Sequence, residues 1–166
     1  NGCGTKNTVV DKGSKKTNPS QSPKIKIGQK LQNSVGVRCA ITGKNTAECI
    51  GYVGKKNSVT IPPSLKYMGV TYQITSIKTK AFSGNKNLRS IVIPSSIRTI
   101  GSQAFFKCKN LKKITIKTPY LSKKTVGAKA FKGIHAKAKI KVPKKQKKAY
   151  QKLLKAKGAG KKVTIK

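Results

Sequence analysis

The chain has no tryptophan, one histidine and only two carboxylate side chains, Asp11 and Glu48, among its 166 residues. Those two acids lie far apart in sequence, so no carboxyl pair is available for general acid–base work. His135 stands without a spaced Cys or His partner, whereas a metal centre needs several converging ligands; it reads as a turn residue. Gly51 to Gly54 lacks the strand, helix and Lys-Ser pattern of a phosphate loop. The expectation is a protein that is not an enzyme and carries no cofactor or metal. No apolar run is long enough to cross a bilayer, and the first residues lack the apolar stretch of a signal peptide. Because position 1 is Asn, the chain reads as a fragment or a processed product.

What the chain has in excess is lysine. Lys and Arg total 39, giving a formal net charge of +37, and only Arg38, Arg89 and Arg98 are arginine. Such a charge opposes compaction through self-repulsion, but it attracts polyanions. A solvated lysine coat with no specific partner is the plain alternative. Lysine acts as a mobile point charge, while bidentate reading of phosphate or a guanine edge is arginine's chemistry. Stacking platforms for single-stranded nucleic acid need exposed aromatics beside basic residues. The four Phe and five Tyr show no such cluster, and the Phe residues are assigned to the core. Attraction to a polyanionic surface is therefore favoured over nucleic-acid recognition.

Composition divides the chain. Residues 1–30 are drawn mostly from Asn, Gly, Ser, Thr, Lys and Pro and read as a disordered polar tether. In residues 31–73, Val37, Cys39 and Ile41 alternate with other residues. Gly43 to Thr46 then offers a turn, and Cys49 to Val53 resumes the extended pattern, predicting a β-hairpin. A short strand at Val59-Thr60-Ile61 stops at Pro62-Pro63, and a second hairpin turns at Met68-Gly69. This stretch is expected to form an N-terminal β-hairpin cap.

Residues 74–143 carry three repeats. Ile74-x-x-Ile77-x-x-x-Ala81-Phe82 leads to Leu88-x-x-Ile91-x-Ile93-Pro94, and the same text recurs 23 residues later from Ile97 through Phe105 to Ile116. A third copy, slipped by three residues around Pro119 to Lys123, runs Val126, Ala130, Phe131, Ile140 and Val142. A fixed period with every apolar position in register signals stacked repeats. The Leu-x-x-Ile-x-Ile segment predicts a short strand, and Ala-Phe predicts a single helical turn on the opposite wall. Phe82, Phe105 and Phe131 then form one spine that no single unit could bury. Residues 144–166 provide a C-terminal cap: a helix from Lys144 to Lys157, opened by Pro143 and closed by Gly158, with Ala149, Tyr150, Leu153 and Leu154 on one face, and a last strand at Val163-Thr164-Ile165. The expected fold is α/β: a short leucine-rich-repeat solenoid with one parallel sheet, capped by an N-terminal hairpin and a C-terminal helix.

The pattern Ile-x-x-Ile-x-x-x-Ala-Phe-x(5)-Leu-x-x-Ile-x-Ile-Pro, as in Ile74 to Pro94, resembles the BspA-type bacterial leucine-rich repeat. Val59 to Pro63 and Gly69 to Ile74 resemble the segment that precedes the family's first full repeat. The likeness covers roughly residues 55–143. The third copy departs from it with Lys137 where Leu is expected, and the second with Lys117 in place of Pro94; both suggest a looser last repeat. The resemblance implies a bacterial cell-surface or secreted scaffold for adhesion or extracellular binding, with no catalytic motif to carry over.

Four cysteines remain. Cys39 and Cys49 flank the Gly43–Thr46 turn almost symmetrically. If the hairpin forms they lie opposite one another, at a distance suited to a disulfide that an extracellular location would preserve; two small core thiols are the alternative. Cys108, in a turn, reads as a semi-buried free thiol. Asn1-Gly2-Cys3-Gly4 followed by a polar tether resembles the end of a lipobox, which makes Cys3 a candidate for lipidation; a fragment boundary falling near a Cys is the other reading.

Charge supplies the functional expectation. Nearly half of the basic residues lie from Lys117 onward. Outward strand positions change along the stack from Ser90 and Val92, to Lys113 and Thr115, to Lys139 and Lys141. Beside them stand Lys144, Lys145, Lys147, Lys148, Lys152 and Lys155 of the helix. Together these nine lysines are the candidate binding site for a polyanionic cell-wall polymer, an acidic glycan or a host surface protein.

Overall fold

In the computed structural model, which describes residues 26–166, the chain forms mostly strands with one short helix. The strands are β1 (Lys30–Gln32), β2 (Val37–Ile41), β3 (Thr46–Tyr52), β4 (Ser58–Thr60), β5 (Ser64–Tyr67), β6 (Val70–Ile77), β7 (Ser90–Ile93), β8 (Thr99–Ile100), β9 (Lys113–Ile116), β10 (Lys139–Lys141) and β11 (Thr164–Ile165); a 3-10 turn, Lys144–Gln146, runs into α1 (Lys147–Ala156). The expected polar tether falls almost wholly outside the described residues, as does Cys3.

The Leu-x-x-Ile-x-Ile segments do form strands, and they align in parallel in the order β11-β10-β9-β7-β4. Ile91, Ile114 and Ile140 are matched in register along this sheet and all are buried. β4 joins the same sheet through Val59↔Ile91, so the short strand before Pro62 is part of the repeat stack.

The expectation of one parallel sheet is corrected. A second, mixed sheet has the order β1-β2-β3-β6-β5, with β8 paired to β6. The Ile-x-x-Ile spacing hides it, because apolar residues three apart do not show the period of two that marks a half-buried strand. Here Cys49 pairs with Ile77, Ile77 with Ile100, and Ile100 bridges to Val126, all in parallel. The two hairpins are present. β2 and β3 pair antiparallel across the Gly43–Thr46 turn; β5 and β6 turn through Met68 and Gly69 at φ 49° and 78°, the left-handed pair that suits a two-residue hairpin.

The Ala-Phe wall is not a helical turn. Lys80, Gln103 and Lys129 hold left-handed φ values of 61°, 57° and 59°, which break any right-handed helix at that point. Alternate N–H groups leave the repeat altogether: Lys80, Phe82 and Gly84 donate to Ser102, Ala104 and Phe106 carbonyls of the next copy at 3.0, 2.8 and 2.7 Å. The intervening Ala81 and Ser83 N–H groups bond back three residues, to Lys78 and Lys80. The turn wall is thus a third hydrogen-bonded column, satisfying backbone groups that a core-facing loop would otherwise orphan.

Between these columns lies the phenylalanine spine. Phe82, Phe105 and Phe131 are buried, with ring centroids 5.3 and 5.4 Å apart and interplanar angles of 11° and 18°. Phe106 is the exception to the expectation that all Phe enter the core: it is half-buried with the Lys107 ammonium 5.3 Å from its ring. Lys137, in place of the expected Leu, is exposed, while Ile134 and Ala138 beside it are buried. α1 buries Tyr150, Leu153 and Leu154, but Ala149 points to solvent. Gly158, at φ 106°, ends the helix as anticipated.

Candidate polyanion-binding face

The parallel sheet sets its outward residues in columns. Ser58, Ser90, Lys113, Lys139 and Thr164 stand in register on successive strands, and Thr60, Val92, Thr115 and Lys141 form the neighbouring column. Adjacent strands are about 4.8 Å apart, so Lys113 and Lys139 are direct lateral neighbours. All three sheet lysines are exposed, as are Lys144 and Lys145 of the 3-10 turn and Lys147, Lys148, Lys152 and Lys155 of α1. α1 follows β10 after Val142 and Pro143 and packs against β11, so both sets of lysines occupy the same end of the stack.

This placement costs stability. Like charges opposed across strands repel, and so do like charges four apart on a helix, such as Lys148 and Lys152. The first turn of α1 has no acidic residue, although a helix N-terminus favours anions. The sole described carboxylate side chain, Glu48, sits in the mixed sheet and accepts a hydrogen bond from Ser76 Oγ at 3.0 Å. Among the described residues, the sheet lysines therefore have no side-chain counterion.

A different pair of residues escaped the sequence reading, which found no cluster of exposed aromatics beside basic residues. Arg98 and Tyr120 meet, with the guanidinium carbon 4.4 Å from the ring centroid, and Tyr120 is 51% exposed. The signal was the three-residue slip around Pro119. That insertion is fixed from beneath: buried Thr118 donates through Oγ1 to the Ile97 carbonyl. Tyr150 of α1 donates its hydroxyl proton to the Thr118 carbonyl at 2.7 Å and accepts the Leu121 N–H at 3.1 Å.

Cys39 and Cys49 face each other in register as buried free thiols, not as a disulfide. The Cys49 thiol hydrogen-bonded to Cys39, together with burial, raises the Cys39 pKa above its ordinary value, because both disfavour its charged form. Cys108 is fully buried rather than semi-buried, and its thiol donates to the Phe82 carbonyl at 3.0 Å. Burial pushes its pKa up to about 11. His135 accepts the Lys137 N–H on Nδ1 at 3.0 Å, a turn contact. Among the described residues no three His, Cys, Asp or Glu side chains converge on one point, and no helix is long and apolar enough to cross a membrane.

The family model for the BspA-type leucine-rich repeat region, in six copies, matches residues 57–166. No curated protein matches the chain in sequence. Among solved structures, a leucine-rich cell surface protein of Faecalibacterium prausnitzii is similar, with a TM-score of 0.54 and 23% identity over 75% of this chain and 38% of its own. A leucine-rich repeat protein of Bacteroides capillosus has a TM-score of 0.55 and 19% identity, covering 82% of this chain and 98% of its own. A leucine-rich repeat protein of Bacteroides ovatus is 28% identical over 65% of this chain and 34% of its own, with a TM-score of 0.49. The chain thus spans less than half the length of the Faecalibacterium protein. The match to residues 57–166 takes in the C-terminal helix and last strand as well as the three central repeats, and the chain belongs to the BspA-type leucine-rich repeat family.

Proposed function

We propose that this chain is a non-enzymatic, extracellular binding module of a bacterial surface protein, a short solenoid that associates with polyanionic cell-wall polymers or acidic host glycans through its lysine-rich end. The observation that carries the reading is the in-register pairing of Lys113 with Lys139, beside Lys141, with no described carboxylate near them. A polyanion laid across the strands would relieve the repulsion built into that column, and binding would weaken as salt screens it. The family's occurrence on cell surfaces supports the location; Cys3, outside the described residues, remains a candidate anchor under this proposal.

The test is chromatography on immobilised heparin and on teichoic acid. The expected result is retention through physiological salt, with earlier elution when Lys139, Lys141, Lys144, Lys145, Lys147 and Lys148 are changed to Gln. Elution of the unaltered chain below physiological salt would refute the reading and leave a spacer whose charge keeps it soluble. Preference for one nucleic-acid sequence over other polyanions of equal charge would replace it with a nucleic-acid binder.

A further inference from the structure

At the C-terminal ends of the parallel strands β4, β7 and β9, the connecting loops and the exposed Thr71 and Gln73 of β6 line a groove of about 370 Å³, within the size range of small-ligand clefts. Its wall is polar and carries no acid: Thr71, Gln73, Ser64 and Ser95 surround Arg98 and Tyr120, with Pro63 as an apolar side. We propose that this groove is a binding site for a carboxylate-bearing sugar, with Arg98 holding the carboxylate and the hydroxyl and amide groups holding the sugar hydroxyls. The site uses none of the lysines of the polyanion face, so it stands or falls separately from that assignment.

Three observations converge. Arg98 is one of three arginines in a chain that otherwise uses lysine for charge, and only arginine offers a planar fork matched to a carboxylate. Its guanidinium lies over the Tyr120 ring, so one face is occupied and the N–H edges are held in one plane for a ligand. Tyr120 itself is delivered by the insertion that departs from the repeat period, and that insertion is secured by Thr118, Leu121 and Tyr150. Departures from the repeat generally form loops on one face, often the binding face. Here the chain fixes the loop's buried side rigidly and leaves its aromatic residue exposed.

The neutral lining argues against a site for bare charge. Ser64, Ser95, Thr71 and Gln73 each supply a donor and an acceptor, as a sugar ring with several hydroxyls requires, whereas an inorganic anion needs donors only. A nearby carboxylate would cancel Arg98; none lines the groove.

The full chain is titrated calorimetrically, at about 150 mM salt to suppress diffuse attraction, with an oligosaccharide alternating glucuronic acid and N-acetylglucosamine. The expected result is saturable binding. It should weaken at least about tenfold when the carboxylates are reduced to alcohols, and by a similar factor in Arg98→Lys, which keeps the charge and loses the fork. Tyr120→Ala should also weaken it, while Lys113→Gln/Lys139→Gln/Lys141→Gln changes it less than twofold. Arg98 and Tyr120 are exposed, so unaltered thermal unfolding of both variants checks that they fold. Absence of binding, equal affinity for the reduced oligosaccharide, equal affinity in Arg98→Lys, or sulfate and phosphate competing at the oligosaccharide's own concentration would each overturn the proposal.

Discussion

Phe105 offers the sharpest test of how the repeats cohere. Its ring is fully buried and stacked on both sides, whereas Phe82 and Phe131 each have one stacked neighbour in the spine. Truncating a buried Phe to Ala costs about 3–5 kcal/mol from lost transfer energy and the cavity left behind. A stacked aromatic pair adds about 0.5–1.5 kcal/mol beyond the area it buries. Phe105→Ala should therefore exceed Phe82→Ala by roughly 1 kcal/mol, the contribution of one extra pair. Since domains of this kind are stable by only about 5–15 kcal/mol, the Ala variant sits close to unfolding, and Phe105→Leu and Phe82→Leu are the better measured pair. Urea unfolding followed by circular dichroism gives both, and a 1 kcal/mol difference moves the midpoint by about 0.3–1 M at ordinary slopes. If Phe82→Leu proves as damaging as Phe105→Leu, the rings act as independent fillers and the spine is not a coupled stack.

Further consequences follow from close approaches and buried groups. A Cβ on Gly101 or Gly127 would lie 2.2 Å from Thr79 N or 2.3 Å from Ser102 N of the preceding turn; Gly101→Ala should lower the melting temperature markedly, while Gly160→Ala, in open space, should not, as differential scanning calorimetry would show. Tyr150→Phe leaves the Thr118 carbonyl and Leu121 N–H without their partner, an expected loss of about 1–3 kcal/mol in urea unfolding. Cys108 has a folded pKa raised to about 11 from 9.0. Its contribution is therefore fully present below pH 9 and lost as pH rises toward 11, because the unfolded thiol ionises first. Stability against unfolding should thus fall over that window more in the native chain than in Cys108→Ala. A matching stability loss in both would contradict it.

The strands and the Phe spine were legible because each Leu-x-x-Ile-x-Ile segment alternates and each Phe recurs at a fixed offset. Two features were not. The second sheet depends on Ile74 and Ile77, and on Ile100 three residues after Ile97, a spacing that carries no strand period. The turn wall depends on lysines and a glutamine at left-handed φ, which propensity assigns elsewhere; only the partner carbonyls of the next repeat make that conformation worthwhile. Arg98 and Tyr120 stand twenty-two positions apart and meet because one repeat lies over the other. Ala149 shows the reverse error: its place beside Tyr150 suggested burial, but the helix presents it outward.

The central claim is that the position of the lysines matters as well as their number. Its most direct measurement compares the salt dependence of heparin binding for the native chain, for Lys113→Gln/Lys139→Gln/Lys141→Gln, and for Lys44→Gln/Lys66→Gln/Lys78→Gln. The last triple removes the same charge from exposed positions around the mixed sheet. Each contacting lysine contributes about one unit to the slope of log affinity against log salt. The account predicts a slope shallower by about two to three units for the first triple and little change for the second. Equal changes in the two triples would contradict it, reducing the parallel-sheet lysines to anonymous members of a +37 chain.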